Sequence, residues 1–396
     1  MLLGICLGIL CGVGFGIITG LAPGVHINLV SAILLSLSPA LAQRISLVHV
    51  CALIMAMSVT HTFLDTIPSI FLGAPDDDKA LGVLPGHRYL LRGNGMAAVK
   101  LCIIGGLLGA VVSVVLFVPL GMLLNAAYAY GRPYMVWILI ALVLFTILKD
   151  KKRPWALAIF LLSGLLGLIV LRLPISDPLL PLLSGMFGTA TLLYSINEHQ
   201  RIPPQNGQRY TEIDLGKTAS GTVRGVLAGM VTSLLPGISA SAASAVTSRG
   251  GRLGDSGFLV LLGSIGSAGF ILSLASFLYF EKARNGAMAV ITELSAIDTP
   301  MTVILLSAAL VGAGIAALLT LWMGRSAAAW LPKLPYRATC AGVILFVALL
   351  AFLRSGWVGL AVLATSTAIG LLPAAVKTAR AQAMGCLLLP VIVMLW

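Results

Sequence analysis

Two Pro-Gly pairs interrupt long apolar stretches: Pro23-Gly24 in GLAPGVHINLVSAILL and Pro236-Gly237 in SLLPGISASAASAV. Proline lacks the N–H and clashes with the preceding turn, and glycine admits φ > 0. Each pair therefore stops one helix and lets another start, at Val25 or at Ile238. A restarting helix presents unpaired N–H groups and the positive end of its dipole. Val25, His26 and Asn28 follow the first break; Ile238, Ser239 and Ser241 follow the second. Two such tips, brought together, form a cradle for an anion. In this reading Asn28, Ser239 and Ser241 assist the amides, and His26 adds charge or a hydrogen bond. Broken backbone at membrane depth is tolerated only where it is buried in protein or lines a polar cavity. The competing reading is a pair of proline kinks packed against glycine-rich neighbours.

His61 and Asp65 are four residues apart and share one face of a helix. Asp65 lies within an apolar run, where an ionisable group is costly and faces a partner or a wet cavity. The pair suits a proton relay or a coupling-cation site, or else a polar clasp that holds a hairpin. Asp76, Asp77 and Asp78 follow Pro75 and read as solvated or helix-capping acids rather than a metal site. Arg88 and Arg92 either attract an anion or orient a loop. Glu293 is a functional candidate if it lies within the membrane. No GxSxG, Walker A, HExxH or clustered Cys/His occurs. The expectation is neither an enzyme nor an ATP-driven pump, with no cofactor and no metal.

The chain around these residues has 396 residues, 59% hydrophobic and 10% charged. Soluble domains run near 45–50% apolar and about 25% charged. With a mean hydropathy of +1.05, the composition excludes soluble enzymes, disordered chains and disulfide modules. It points to a polytopic α-helical protein of the cell membrane. The apolar stretches are continuous rather than alternating, which excludes a β-barrel. A net charge of +12 comes from short basic clusters between apolar runs, as the positive-inside rule leads one to expect, and not from a nucleic-acid stripe. The first twenty residues read as a membrane segment, not a cleaved leader. The six cysteines lie in apolar runs and act as small hydrophobes. Each span needs about 20 apolar residues. The pattern predicts about ten crossings plus Pro-Gly-broken or re-entrant hairpins. It divides into a first membrane repeat over 1–197, a cytoplasmic linker over 198–224 and a second repeat over 225–396.

The order of features repeats. Pro23-Gly24 matches Pro236-Gly237, Asn94-Gly95 resembles Asn285-Gly286, Pro133-Tyr134 matches Pro335-Tyr336, and Leu173-Pro174 matches Leu372-Pro373. The offset falls from 213 to 199 residues, as small loop deletions would produce. Charge placement orients the copies. Lys149–Arg153 carries four basic residues, whereas the equivalent turn in the second copy holds only Arg354. The two copies are expected to lie upside down relative to each other, a plan recurrent among secondary transporters whose substrate site lies near the midplane.

GLAPGVHIN, THTFLDTIPSIFLGAPDDD, LPGHR and LLPGISASAAS followed by EKARNGAMAVI resemble the archaeal branch of the TctA-type membrane subunit of tripartite tricarboxylate transporters, over roughly residues 5–320. The resemblance implies a permease for small carboxylates driven by a cation gradient, H+ or Na+. In bacterial systems a small membrane subunit and an extracytoplasmic binding protein assist. His26-Ile27-Asn28 stands where the bacterial motif has more glycine. PGISAS is also similar to the Pro-Gly-Ile-Ser motif of a polyprenyl-phosphate translocase family, so a lipid phosphate is the first alternative guest. A membrane-embedded lipid hydrolase or transferase is the second alternative.

Overall fold

The computed structural model describes residues 2–22, 27–71, 83–175, 178–197, 203–205, 213–235, 240–248, 253–330 and 336–395. Helices follow one another in the order α1 (Leu2–Leu21), α2 (Ile27–Ala42), α3 (Leu47–Leu64), α4 (Thr66–Phe71), α5 (Val83–Leu91), α6 (Gly95–Val115), α7 (Phe117–Gly131), α8 (Met135–Leu148), α9 (Arg153–Val170), α10 (Leu179–Leu183) and α11 (Ala190–Asn197). A π-helical turn, Ser184–Thr189, joins the last two. The second half continues with α12 (Leu215–Leu234), α13 (Ala240–Thr247), α14 (Gly254–Phe280), α15 (Gly286–Leu294), α16 (Thr299–Trp330), α17 (Tyr336–Val376) and α18 (Gly385–Leu395). No strand occurs among the described residues. Eight helical stretches among the described residues are long and apolar enough to cross a membrane. The protein is therefore an all-α polytopic membrane protein.

The duplication is visible in packing. Small residues let membrane helices approach backbone to backbone, and both repeats use the same glycines. A Cβ on Gly8 would fall 2.6 Å from the His49 carbonyl oxygen, and one on Gly221 would fall 2.5 Å from that of Gly257. Gly12 faces the Leu53 carbonyl as Gly225 faces that of Leu261, and Gly16 faces Thr60 as Gly229 faces Ala268. Thus α1 lies along α3 as α12 lies along α14. The periphery repeats the theme. Gly167 of α9 abuts the Cys386 carbonyl and Gly370 of α17 abuts that of Met186, while Gly385 meets Ser163 and Gly185 meets Ser366.

Direction follows from the same contacts. The Phe63 ring lies against Gly106 and the Phe71 ring against Gly95, so α3–α4 runs antiparallel to α6. Gly105 meets Val260 and Gly109 meets Ser264, so α6 runs parallel to α14. Ser267 Oγ donates to the Gly106 carbonyl at 2.7 Å across this seam. Hence α3 and its counterpart α14 point in opposite directions, and the repeats are inverted.

Two sequence expectations change in detail. Asn94 precedes the 21-residue α6, whereas Asn285 caps the nine-residue α15, its Oδ1 accepting from Met288 N at 2.7 Å. The true counterpart of α15 is α5, also nine residues. Asn-Gly marks a helix start without saying which helix starts. Next, α12 begins at Leu215, so the last ten residues assigned to the linker are helical. Asp214 caps this helix, accepting from Lys217 N at 3.0 Å. That backbone bond and the Lys217 side chain hold the Asp214 carboxyl below its ordinary pKa. The expected segments 336–353 and 356–372 are both helical and meet at Gly356, whose φ of 59° and ψ of −153° break the helix between them.

Two apolar interiors result. One gathers residues of α1–α7, α12 and α14–α16; the other gathers α8–α10, α17 and α18, with Ala228, Leu235, Ala240, Ala243 and Ile265 completing it.

Candidate functional site

Pro23, Gly24, Val25 and His26, and Pro236, Gly237, Ile238 and Ser239, lie outside the described residues, as do the side chains of Asn28 and Ser241. The helices that bracket these breaks are described. Gly20, in the last turn of α1, sits 2.8 Å (as a built Cβ) from Leu64 Cβ and 3.1 Å from Asp65 N. The end of α1 therefore lies at the level of Asp65.

His61 and Asp65 are both 5% exposed. Asp65 N donates to the His61 carbonyl at 2.9 Å, which places them one turn apart on the same face. The chain steps from α3 into α4 at Asp65, and Ser58, Thr60, Thr62, Thr66 and Ser69 around it are also buried. Phe63 touches Gly106 halfway along α6. The pair accordingly lies near the middle of the bundle, where an ionisable carboxyl is rare.

A cavity of about 120 Å³ opens at the second break. Thr232 and Ser233 of the last turn of α12 line it, as do Ala240 at the start of α13, Gly266 and Ser273 of α14, and Arg284 with Asn285 before α15. A single water needs about 10–15 Å³ measured this way, so the hollow holds several waters or a small polar group. Gly266 is near the midpoint of α14, so the cavity is at mid-depth. A Cβ on Gly266 would fall 3.1 Å from Thr62 Cβ, so one wall of the cavity rests on the residue after His61.

The remaining candidates lie elsewhere. Arg88 of α5 makes a two-pronged ion pair with Asp255 at the start of α14, with distances of 2.9 and 2.5 Å. Its guanidinium is half exposed, and it fastens two helices. Glu293 is exposed on α15. Neither lines the cavity. Exposed ion pairs contribute about 0–1 kcal/mol. Arg88→Ala is therefore expected to lower thermal stability slightly and to leave transport KM within about twofold. A tenfold KM change in uptake assays would return Arg88 to the site.

Sequence reasoning missed Thr232, Ser273 and Arg284. Arg284 stands in an otherwise short polar break, and its environment comes from α7, remote in sequence. The signal that finds it is the repeat register, which sets Ser273 opposite Asp65.

The model of the family described as "Tripartite tricarboxylate transporter TctA family" matches residues 6–385. An uncharacterized protein of Methanocaldococcus jannaschii is 29% identical over 353 residues, 86% of this chain and 87% of that protein. No solved structure matches.

Proposed function

We propose that this chain, which belongs to the tripartite tricarboxylate transporter TctA family, carries a small organic anion, a carboxylate, across the cell membrane by alternating access, driven by a proton or sodium gradient. The family is a membrane component of a transport system. The substrate, the coupling ion and the mechanism are the proposal. The observation that supports it most is the polar cavity at mid-depth, bounded by the end of α12 and the start of α13 within an inverted repeat. That is where a transporter of this plan holds its guest. In this reading the amides after Pro23-Gly24 and Pro236-Gly237, with Asn28, Ser239 and Ser241, bind the anion, His26 contributes charge or a hydrogen bond, and His61 with Asp65 takes the coupling cation. A small membrane subunit and an extracytoplasmic binding protein are the proposed partners.

Purified protein in proteoliposomes tests this. With an inward proton or sodium gradient, labelled citrate, succinate or acetate is expected to accumulate above its equilibrium level, and collapse of the gradient is expected to stop it. Absence of both uptake and binding of all three, with or without the partner subunits, rejects the carboxylate reading. Movement of a polyprenyl phosphate instead would favour the lipid carrier.

A further inference from the structure

The repeat register says what the cavity is. The facing pairs His49 and Gly257, Leu53 and Leu261, and Thr60 and Ala268 share a constant offset of 208 residues. The same offset equates His61 with Gly269 and Asp65 with Ser273, and both of the second-repeat residues line the cavity. The cavity is thus the second repeat's version of the corner that in the first repeat holds a histidine and a carboxylate. The duplication has placed opposite chemistry in equivalent places. The first corner carries Asp65; the second has lost that acid and gained Arg284.

Arg284 is held in an unusual way. Its guanidinium carbon lies 5.8 Å from the centroid of Tyr128 and 5.7 Å from that of Phe280, and these two rings stack at 4.3 Å. Its backbone N donates to Ser273 Oγ at 3.3 Å. Among the described residues no carboxylate lies within ion-pair distance, and buried Nε has no hydrogen-bond partner. The side chain is half-buried, and a partly desolvated guanidinium whose Nε finds no acceptor favours an anion beside it. Aromatic stacking fixes its plane but offers no acceptor for its N–H fork. The fork matches a carboxylate, which accepts two parallel N–H bonds. Thr232, Ser233 and Ser273 supply hydroxyls on the remaining walls.

We infer that Arg284 is the counter-charge of the transported carboxylate: the second repeat's corner adds Arg284, Thr232, Ser233 and Ser273 to the anion's ligands, and the first repeat's corner binds the coupling cation through His61 and Asp65. This rests on the carboxylate-carrier reading above. The two corners touch where Gly266 meets Thr62, so a charge bound in one is felt in the other. With about 120 Å³ available, the cavity accepts one carboxylate group or a short acid.

The test compares the wild type with Arg284→Gln and Arg284→Lys in proteoliposomes, using labelled citrate, succinate and acetate. Arg284→Gln is expected to raise KM for the transported acid about tenfold or more, with Arg284→Lys between, since a point charge replaces a fork. The cation-to-anion stoichiometry of residual uptake is expected to stay unchanged. An Arg284→Gln protein that melts like the wild type and keeps its KM overturns the inference and leaves the carrier reading standing. If Arg284→Gln does not fold, Ser273→Ala and Thr232→Val take its place. A severalfold rise in KM supports the site, and an unchanged KM in both overturns it. A wild type that neither binds nor moves any of the three acids overturns the carrier reading and this inference with it.

Discussion

Asp65→Asn is expected to abolish gradient-driven accumulation while leaving the protein folded and able to bind its anion. The substitution keeps the size and hydrogen-bonding shape of the side chain and removes only the charge. Asp65 is 5% exposed, near the middle of the bundle, and one helical turn from His61. A carboxylate in that place is costly unless it meets a cation. Its neutral isostere therefore loses the reason for the cation to bind, and at least about a tenfold fall in concentrative uptake is expected. Exchange of labelled for unlabelled substrate at zero gradient is expected to survive. Measuring both in the same vesicles separates coupling from folding. Full concentrative uptake by Asp65→Asn would remove the residue from the cation path. Loss of exchange as well would make it a structural clasp, the alternative reading of the His61–Asp65 pair. His61→Gln is expected to act in the same direction but less severely if the cation is sodium, and as severely if it is a proton.

The second large effect concerns assembly. Gly105→Ala and Gly105→Val are expected to prevent stable folding. The added Cβ would collide with the Val260 carbonyl oxygen and lie 2.7 Å from its carbon. Both atoms are backbone, so no side chain can swing aside. Overpacking costs about 1–3 kcal/mol, occasionally more, and here it acts on the seam that joins the repeats. Gly14→Ala is the control, since no atom lies within 4 Å of its added methyl group. Thermal midpoints of detergent-purified proteins check the contrast. Equal midpoints for Gly105→Ala and Gly14→Ala would contradict the close approach of α6 and α14.

Much of this architecture is legible in the residues. Composition alone requires a polytopic helical membrane protein. The Pro-Gly spacing of 213 residues is also the spacing of α1 and α12, whose first and last residues, Leu2 with Leu215 and Leu21 with Leu234, share it. Basic residues near loops foreshadow the inversion. What escapes the sequence has physical causes. The α12 sequence LGKTASGTVRGVLAGMVTSL is rich in glycine and hydroxyls. Its first ten residues, LGKTASGTVR, therefore read as linker, although such small residues are what let the helix lie against α14. Asn94 and Asn285 look alike because both precede helix starts, whereas the helices they precede differ in role. Arg284 lies in EKARNGAMAVI, which by itself assigns the arginine no ligand. Its meaning comes from Tyr128 and from the cavity, which exist only after packing. Arg88 drew attention as an anion ligand because the sequence does not reveal that Asp255 stands beside it.

The two separate interiors have a mechanical corollary. Ala240 and Ile265 belong to the interior built around α8–α10, α17 and α18, while Phe270 packs on the other, and all three line the hollow beside Arg284. Both interiors draw on α12 and α14, so these two helices pin the hollow where the two interiors meet.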